Sequence, residues 1–412
     1  VVVAFTPLSL PWLSFILVAF VSLLDASSVA LGLVELIKWL EMGLIVWLIV
    51  DLAGDPTRRP AGPAANARLI LTLLLLAGLS QALIGTWQFG LRSDGPEHFL
   101  VLGRFYRAYG TFEQPNPFGG YMNMTALLAL GTALGRVVDL TGFERPARAR
   151  WLWLAFVLLC AAAATLAVVL SWSRGAWLGF LGGAAVLVLF SARRLAVGLA
   201  LGLVAAVVIG GGLMLGARAG FGPALSVIDR LGGFADEFTL GDVRGVDIND
   251  ANYSVLERLA HWQAAVDMAR DDLWTGVGFG NYEAAYIDYA LINWPDALGH
   301  AHNYYLTLLA EVGLPGLLAY LLLWLAVVWQ TARLARRLAW PERGVAVGLL
   351  AAWAALAVHH LVDKLYVNNI YVHVGAMVGL LQLLAARDLG VKDSRRKSAT
   401  LLPFGEPPPH QD

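Results

Sequence analysis

The chain has 412 residues, 58% of them hydrophobic and only 14% charged, with a mean hydropathy of +0.65. A soluble globular domain could not cover its surface with so few polar groups, so the composition is that of a membrane protein. The 29 Lys and Arg nearly balance the 30 Asp and Glu, leaving a formal net charge of -1; no nucleic-acid partner is expected from such a balance.

Taken in chain order, apolar runs long enough to cross roughly 30 Å of hydrocarbon predict about ten spans. They lie near 8–25, 29–50, 69–91, 117–139, 151–170, 175–190, 195–216, 303–330, 344–362 and 370–386. Runs such as "WLWLAFVLLCAAAATLAVVL" show none of the alternation of a barrel strand, so the expected fold class is all-α, a polytopic membrane helical bundle. Cys160, the only cysteine, lies inside that run and reads as a small buried apolar group. The first apolar stretch lacks a basic lead and a small-residue cleavage site, so no cleavable signal peptide is expected. A start at Val1 rather than Met suggests a trimmed N-terminus lacking one or two spans.

Connections between spans alternate in character. "GDPTRRPAGPAANAR", "ERPARAR", "ARR", "TARLARRLAWPER" and "RDLGVKDSRRK", with Arg136 at a span end, hold about 18 of the 29 Lys and Arg. The positive-inside rule therefore puts both ends of the chain in the cytoplasm. The stretch around Arg107, Arg174 and the long segment from Arg218 to His302 then face outward. Four parts follow: an N-terminal transmembrane bundle at 1–216, a long outer loop with helices at 217–302, C-terminal transmembrane helices at 303–390, and a disordered cytoplasmic tail at 391–412. The outer loop has 13 acids against five Arg, with Trp262, Trp274 and Trp294 to fold it down onto the bundle. Its best helix is "SVLERLAHWQAAVDMAR". There Ser254 and Glu257 read as a capping box, Val255, Leu259, Trp262 and Val266 fall on one stripe, and Arg258 stands at its edge. In "VELIKWLE", the recurring Glu35, Lys38 and Glu41 either neutralise one another or mark a helix lying partly at the interface.

Four outward clusters could carry chemistry. In "RAYGTFEQPNPFGGYMN", Gly, Pro and Asn suit a tight re-entry loop; Arg107, together with Arg104 just ahead, exceeds what a turn requires and could bind an anion. In "SWSRGAW", Arg174 is held near the lipid boundary, either snorkelling to headgroups or retained for function. Arg258 is either a surface charge or a site residue, and Glu257 is adequately explained as a cap. In "GHAHN", His300 and His302 could begin a metal site, but no third ligand stands at a recognisable spacing, so no metal is expected. His302 could also be a polar cap. Downstream, Glu311, Gly313, Pro315 and Gly316 mark a break between a short outer helix and the span proper. Asp363 and Lys364 of "HHLVDKLYV" could simply pair with each other.

By topology these arginines and a histidine converge on one outer surface, which suits a substrate with an anionic head and a membrane-embedded tail, such as a lipid diphosphate. Arginines could take the part Mg²⁺ plays in nucleotide-sugar transferases, since there is no Asp-x-Asp motif anywhere in the chain. A neutral imidazole could accept the proton of an attacking hydroxyl, and His302 is the best placed.

"RAYGTFEQPNPFGGYM", "SWSRGAWLGF", "ERLAHWQAAVDMARDDLWTGVGFGNY" and "HAHNYYLTLLAEVGLPGLLAYL", in this order, resemble the bacterial O-antigen ligase and polymerase superfamily over roughly residues 104–365. The resemblance implies a GT-C-like bundle of about 10 to 12 transmembrane helices with one long, partly helical periplasmic loop, in the inner membrane. It implies a glycosyltransferase that needs no cofactor and no metal. The implied donor is a glycan linked to undecaprenyl diphosphate, and the implied acceptor is a hydroxyl of the lipid A core or another acceptor, with membrane lipids as surroundings. On this likeness Arg174, Arg258 and His302 are expected to be catalytic, with Arg104, Arg107, Asn116, Glu257, His300, Asn303 and Asp363 binding substrate. Ligation onto lipid A core is preferred to polymerisation or protein O-glycosylation, whose acceptors a single sequence does not encode. From a different class, a polysaccharide or lipid transporter would place its charges near the bilayer midplane in paired repeats, whereas here they gather at outer helix ends.

Overall fold

The computed structural model describes residues 6–54, 62–92, 94–143, 147–192, 242–249 and 252–400, with positions 215 and 218. The span expected at 195–216 falls almost wholly outside the described residues. Among those described there are eleven α-helices and one two-stranded hairpin. They are α1 (Ser9–Val21), α2 (Val29–Gly54), α3 (Gly62–Gly90), α4 (Pro115–Leu140), α5 (Arg148–Leu170) and α6 (Arg174–Ser191). Then come α7 (Tyr253–Asp271) and α8 (Tyr282–Tyr289) of the outer segment, followed by α9 (Tyr304–Arg337), α10 (Glu342–His359) and α11 (Ile370–Thr400). The hairpin pairs Leu100 with Tyr106 and Val101 with Phe105, antiparallel.

Six helices, α3, α5, α6, α9, α10 and α11, contain stretches long and apolar enough to cross a membrane among the described residues, against the ten spans expected. The difference is physical. α1 is short, α2 carries Glu35, Lys38 and Glu41, and α4 opens on a run of Pro, Asn and Gly that lowers its hydropathy. α11 runs on to Thr400, so the first ten residues of the expected disordered tail continue a helix, which its Lys, Arg and Ala favour.

α10 is the central post, with α4 on one side and α6 on the other. Its crossing with α4 is made by glycine on both helices. A Cβ at Gly131 would lie 2.4 Å from the Gly348 Cα, and one at Gly344 would lie 2.6 Å from the Gly135 Cα, so the two backbones touch. Small residues at a crossing allow the close packing that drives helix association in lipid, where the hydrophobic effect between helices is absent.

α9 breaks where expected. Gly313 has φ 63° and ψ -171°, and Pro315 follows it, separating a short outer helix from the span proper. The break is also where the outer segment docks. Leu314 N–H donates to the Leu273 carbonyl (2.8 Å) and Val277 N–H to that of Ala310 (2.9 Å), while a Cβ at Gly313 would strike the Leu273 carbonyl oxygen at 2.6 Å. A second seam ties the segment to the α1–α2 junction through Phe279 N–H to Ser22 Oγ (3.1 Å) and Ser28 N–H to Asn281 Oδ1 (2.8 Å). The outer segment is thus fixed to the bundle both at the α1–α2 junction and at the break in α9.

α7 begins at Tyr253 with Asn252 as its N-cap residue, so the helix backbone starts ahead of the Ser254 expected to cap it. Asn249 and Asn252 exchange backbone-to-side-chain bonds, at 2.8 and 3.2 Å, in the turn before α7 and start the helix earlier. Val255 and Leu259 of the expected stripe are buried, at 7% and 6% exposure, beside Trp294. Cys160 is fully buried and free.

Candidate functional site

At the outer end α9 packs against both α7 and α10, and α10 in turn packs on α4 and α6. Tyr304, the first residue of α9, donates its N–H to the His360 carbonyl at the end of α10 (2.8 Å). Asn303 is the N-cap of α9: its Oδ1 accepts from Tyr305 N–H (3.0 Å) and Leu306 N–H (3.1 Å). This capping accounts for the asparagine without a ligand. The residue before it, His302, has φ 50°, a left-handed backbone that a histidine rarely adopts and that marks a position held by its surroundings.

His302 N–H donates to His300 Nδ1 (3.0 Å). With Nδ1 an acceptor, a neutral His300 carries its proton on Nε2, and that nitrogen faces Asp363 Oδ1 at 3.6 Å. The turn between α10 and α11 presents Asp363 in this position. Asp363 Oδ1 also accepts the Lys364 backbone N–H (2.8 Å), while the Lys364 ammonium turns the other way, to Glu35 Oε1 at 3.1 Å. Asp363 and Lys364 therefore do not pair side chain to side chain. A buried carboxylate on α2 draws the ammonium away. Glu35 holds Lys38 as well, at 2.6 Å, and Glu41 accepts from Tyr371 Oη (2.7 Å). So the charges of "VELIKWLE" are only partly neutralised within their own helix and otherwise reach α11 and the turn before it.

Both ring nitrogens of His302 are buried with no hydrogen-bond partner among the described residues. Burial first, with the neighbouring His300 ring and the Arg258 charge adding to it, pushes its imidazole down to about 3 against the opposing pull of Asp363. Burial and the Lys364 charge push His300 down to about 3 as well. His261 on α7 faces the His302 ring at a centroid distance of 5.7 Å, stacks on Tyr286 and meets Tyr282 Oη at 3.1 Å; burial lowers it to about 4. All three rings are neutral at pH 7.

Arg174 opens α6 directly after Ser173, whose Oγ accepts from Ala176 N–H (3.3 Å). Gly175, the next residue, lies against His359: a Cβ there would stand 3.2 Å from the imidazole Nε2. Cβ atoms at Gly120 and Gly179 would stand 3.2 and 3.5 Å from the same side chain, so three glycines make the space His359 occupies. Neither of its ring nitrogens has a hydrogen-bond partner among the described residues. Arg107 donates from Nε to the Ser171 carbonyl (3.0 Å) and from Nη2 to Asn116 Oδ1 (3.1 Å), binding the re-entry loop to the turn that precedes Arg174. Arg107 and Asn116 are thus tied to each other and to the turn before α6.

The structure brings His300, His302 and Asp363 together, with Arg258 close enough for its charge to act on both histidines. Gly175, the residue after Arg174, packs on His359, whose carbonyl accepts the Asp363 N–H at 3.0 Å. Arg104 stands apart, exposed at the hairpin turn with its guanidinium 4.5 Å above the Phe105 ring. Glu257 is half-buried beside Arg258 and hydrogen-bonded to Tyr253, its carboxyl pushed up by burial. Sequence reasoning missed His359, His261 and the Glu35–Lys364 pair; the doublet in "HHLVDKLYV" was the one local signal for His359.

The fold brings a third group of ligand type, Asp363, to the two histidines. Donor atoms of His300, His302 and Asp363 all lie within 4.8 Å of one another. A tetrahedral ion with ligands near 2.1 Å holds its donors about 3.4 Å apart, so this set would have to close in around it. It would also need the His300 Nε2 that faces Asp363 as a proton donor.

Residues 154–321 match the family model described as O-antigen ligase. The match takes in Arg174, Arg258, His300 and His302 and ends before His359 and Asp363. Comparison with curated proteins gives no match.

Proposed function

We propose that this chain, whose residues 154–321 match the O-antigen ligase family model, transfers a glycan from undecaprenyl diphosphate to a hydroxyl of the lipid A core at the periplasmic face of the inner membrane. The observation that carries this reading is the state of His302: a neutral imidazole whose two ring nitrogens are buried and unpartnered among the described residues, within reach of the Arg258 charge. A neutral imidazole with nothing to hydrogen-bond is poised to take a proton from a hydroxyl that enters the site.

In this mechanism the acceptor hydroxyl gives its proton to His302 as its oxygen bonds to the anomeric carbon. The bond from that carbon to the phosphate oxygen breaks, and undecaprenyl diphosphate leaves with the bonding pair. Arg174 and Arg258 hold the diphosphate and stabilise the charge that develops on it, the part a divalent cation takes elsewhere. Inversion at the anomeric carbon follows from a single displacement. His300, held between Asp363 and the His302 backbone, keeps the base in place.

The test is reconstituted protein with lipid-linked donor and core acceptor, comparing His302→Ala and Arg174→Ala with wild type. Unchanged turnover in both variants would sink the assignment. Expression in a strain without its own ligase separates acceptors: restored long-chain lipopolysaccharide supports ligation, whereas growth of the lipid-linked glycan itself indicates polymerisation.

A further inference from the structure

A second site lies at the opposite end of the bundle. Arg136 sits 21 residues along α4 from Pro115, so about 30 Å from the outer turn at 1.5 Å per residue. Around it two adjoining cavities of about 600 and 330 Å³ share Arg68, Arg136, Pro341 and Glu342 on their walls. They open where the first turns of α3, α5 and α10 meet the last turns of α4 and the 380–387 part of α11. The basic connections of the chain mark this as the cytoplasmic end.

Four guanidinium groups line the pair of cavities, those of Arg68, Arg136, Arg150 and Arg387, against two carboxylates, Asp139 and Glu342. Asp139 is shared between Arg150 (3.1 Å) and Arg136 (3.5 Å), and Glu342 pairs with Arg387. Arg68 has no ion pair among the described residues, and Arg136 Nε is buried without a hydrogen-bond partner there. Among the described residues the site therefore has two positive charges in excess and buried donor capacity left over. The rest of the larger cavity's wall is mainly hydrocarbon, with Leu69, Leu71, Val345, Leu380 and Leu384 leading from the arginines towards the bilayer interior.

From this arrangement we propose that the cavity binds an anionic phospholipid, its headgroup phosphate on Arg68 and Arg136 and its acyl chains along the leucine wall. The excess positive charge selects for net negative headgroups, because a zwitterionic lipid brings a cation of its own into the same space. The hydrocarbon wall selects a lipid over free phosphate.

The experiment is native mass spectrometry of the full chain released from bilayers of equal parts phosphatidylglycerol and phosphatidylcholine, with inorganic phosphate as competitor. Wild type should retain phosphatidylglycerol in preference, and Arg68→Gln and Arg136→Gln should each reduce that preference about fivefold. Inorganic phosphate should not displace the lipid. Equal retention of the two lipids, an unchanged preference in the double variant, or displacement by phosphate would each overturn the proposal. Arg68 is exposed, so Arg68→Gln alone keeps the test sound if Arg136→Gln fails to fold. Glycan transfer is not part of the readout, so the result is independent of the chemistry at His302.

Discussion

His302 donates its backbone N–H to the ring of His300, two residues earlier, at 3.0 Å. That bond fixes which nitrogen of His300 carries the proton and turns it towards Asp363 (3.6 Å). His300 is therefore a positioning residue for His302, one link removed from the hydroxyl that His302 is proposed to deprotonate.

Substitution along this line should separate base from support. His302→Ala should lower kcat by about 10²- to 10⁴-fold with little change in donor affinity. Asp363→Asn leaves the base in place and should cost less, about 10- to 100-fold. Because Asp363 pulls the His302 pKa upward, its neutralisation should also move the acid limb of the pH profile further down. A KM effect with kcat intact would instead make both residues binding groups.

The pH profile itself is a test. An ordinary histidine base loses activity below about 6.5, its unperturbed pKa. His302 is pushed down to about 3, so kcat/KM should show no inflection near 6.5 and remain level to below pH 5. Stability follows the same sign. The unfolded chain binds the proton in the window between about 3 and 6.5 and the folded chain does not, so the contribution is complete above 6.5 and is lost as pH falls through that window. An acid limb centred at 6.5 would show that His302 is not the group whose neutral form is required.

The Glu35–Lys364 pair holds the turn that carries Asp363. Both side chains are more than nine-tenths buried, at 7% and 8% exposure. Lys364→Met removes one partner and should destabilise by about 3–5 kcal/mol, read as a lower unfolding midpoint in detergent. The buried Glu311, which also lies within reach of the Lys364 charge, would add to the loss. Glu35→Leu with Lys364→Met should regain part of it, because two apolar groups need no partner. A double variant less stable than the single would mean that Lys38 had been compensating Glu35 adequately all along.

How far the sequence led depends on whether a feature is local. Apolar runs define spans by length alone, and the Gly313 and Pro315 break in α9 is legible because the residues that break the helix are the ones that dock the outer segment. The pairing of His300 with Asp363 is not legible in this way. It is set by where α10 ends and how Lys364 is drawn to Glu35, neither of which leaves a periodic trace. His359 is invisible for a related reason, since the space for its ring is cleared by Gly120, Gly175 and Gly179 from two other helices. Asn303 was in plain view as an asparagine ahead of a helix, and the resemblance assigned it to substrate where capping chemistry accounts for it.

The glycine crossing offers a test of the scaffold that does not touch the site. Gly131→Val places a branched side chain where a Cβ would already be 2.4 Å from Gly348 Cα and 2.6 Å from the Gly344 carbonyl oxygen. Both obstacles are backbone, so no rotamer relieves the clash and α4 must move off α10. The expected loss exceeds the roughly 1–3 kcal/mol of ordinary overpacking, with a lower unfolding midpoint and reduced yield of folded protein. Gly90→Ala is the control, because a Cβ there meets nothing within 4 Å.

Removal of divalent ions distinguishes arginine from metal as the partner of the diphosphate. The His300 proton on Nε2 faces Asp363, and an ion ligated there would have to displace it and draw in donors now up to 4.8 Å apart. Dialysis against a chelator, followed by assay with lipid-linked donor, should therefore leave turnover unchanged, and elemental analysis of active protein should find less than one ion per chain. Loss of activity on chelation, restored by Zn²⁺ or Mg²⁺ and absent in Asp363→Ala, would assign the cluster to an ion. In that case His300 would be a ligand rather than the residue that positions His302.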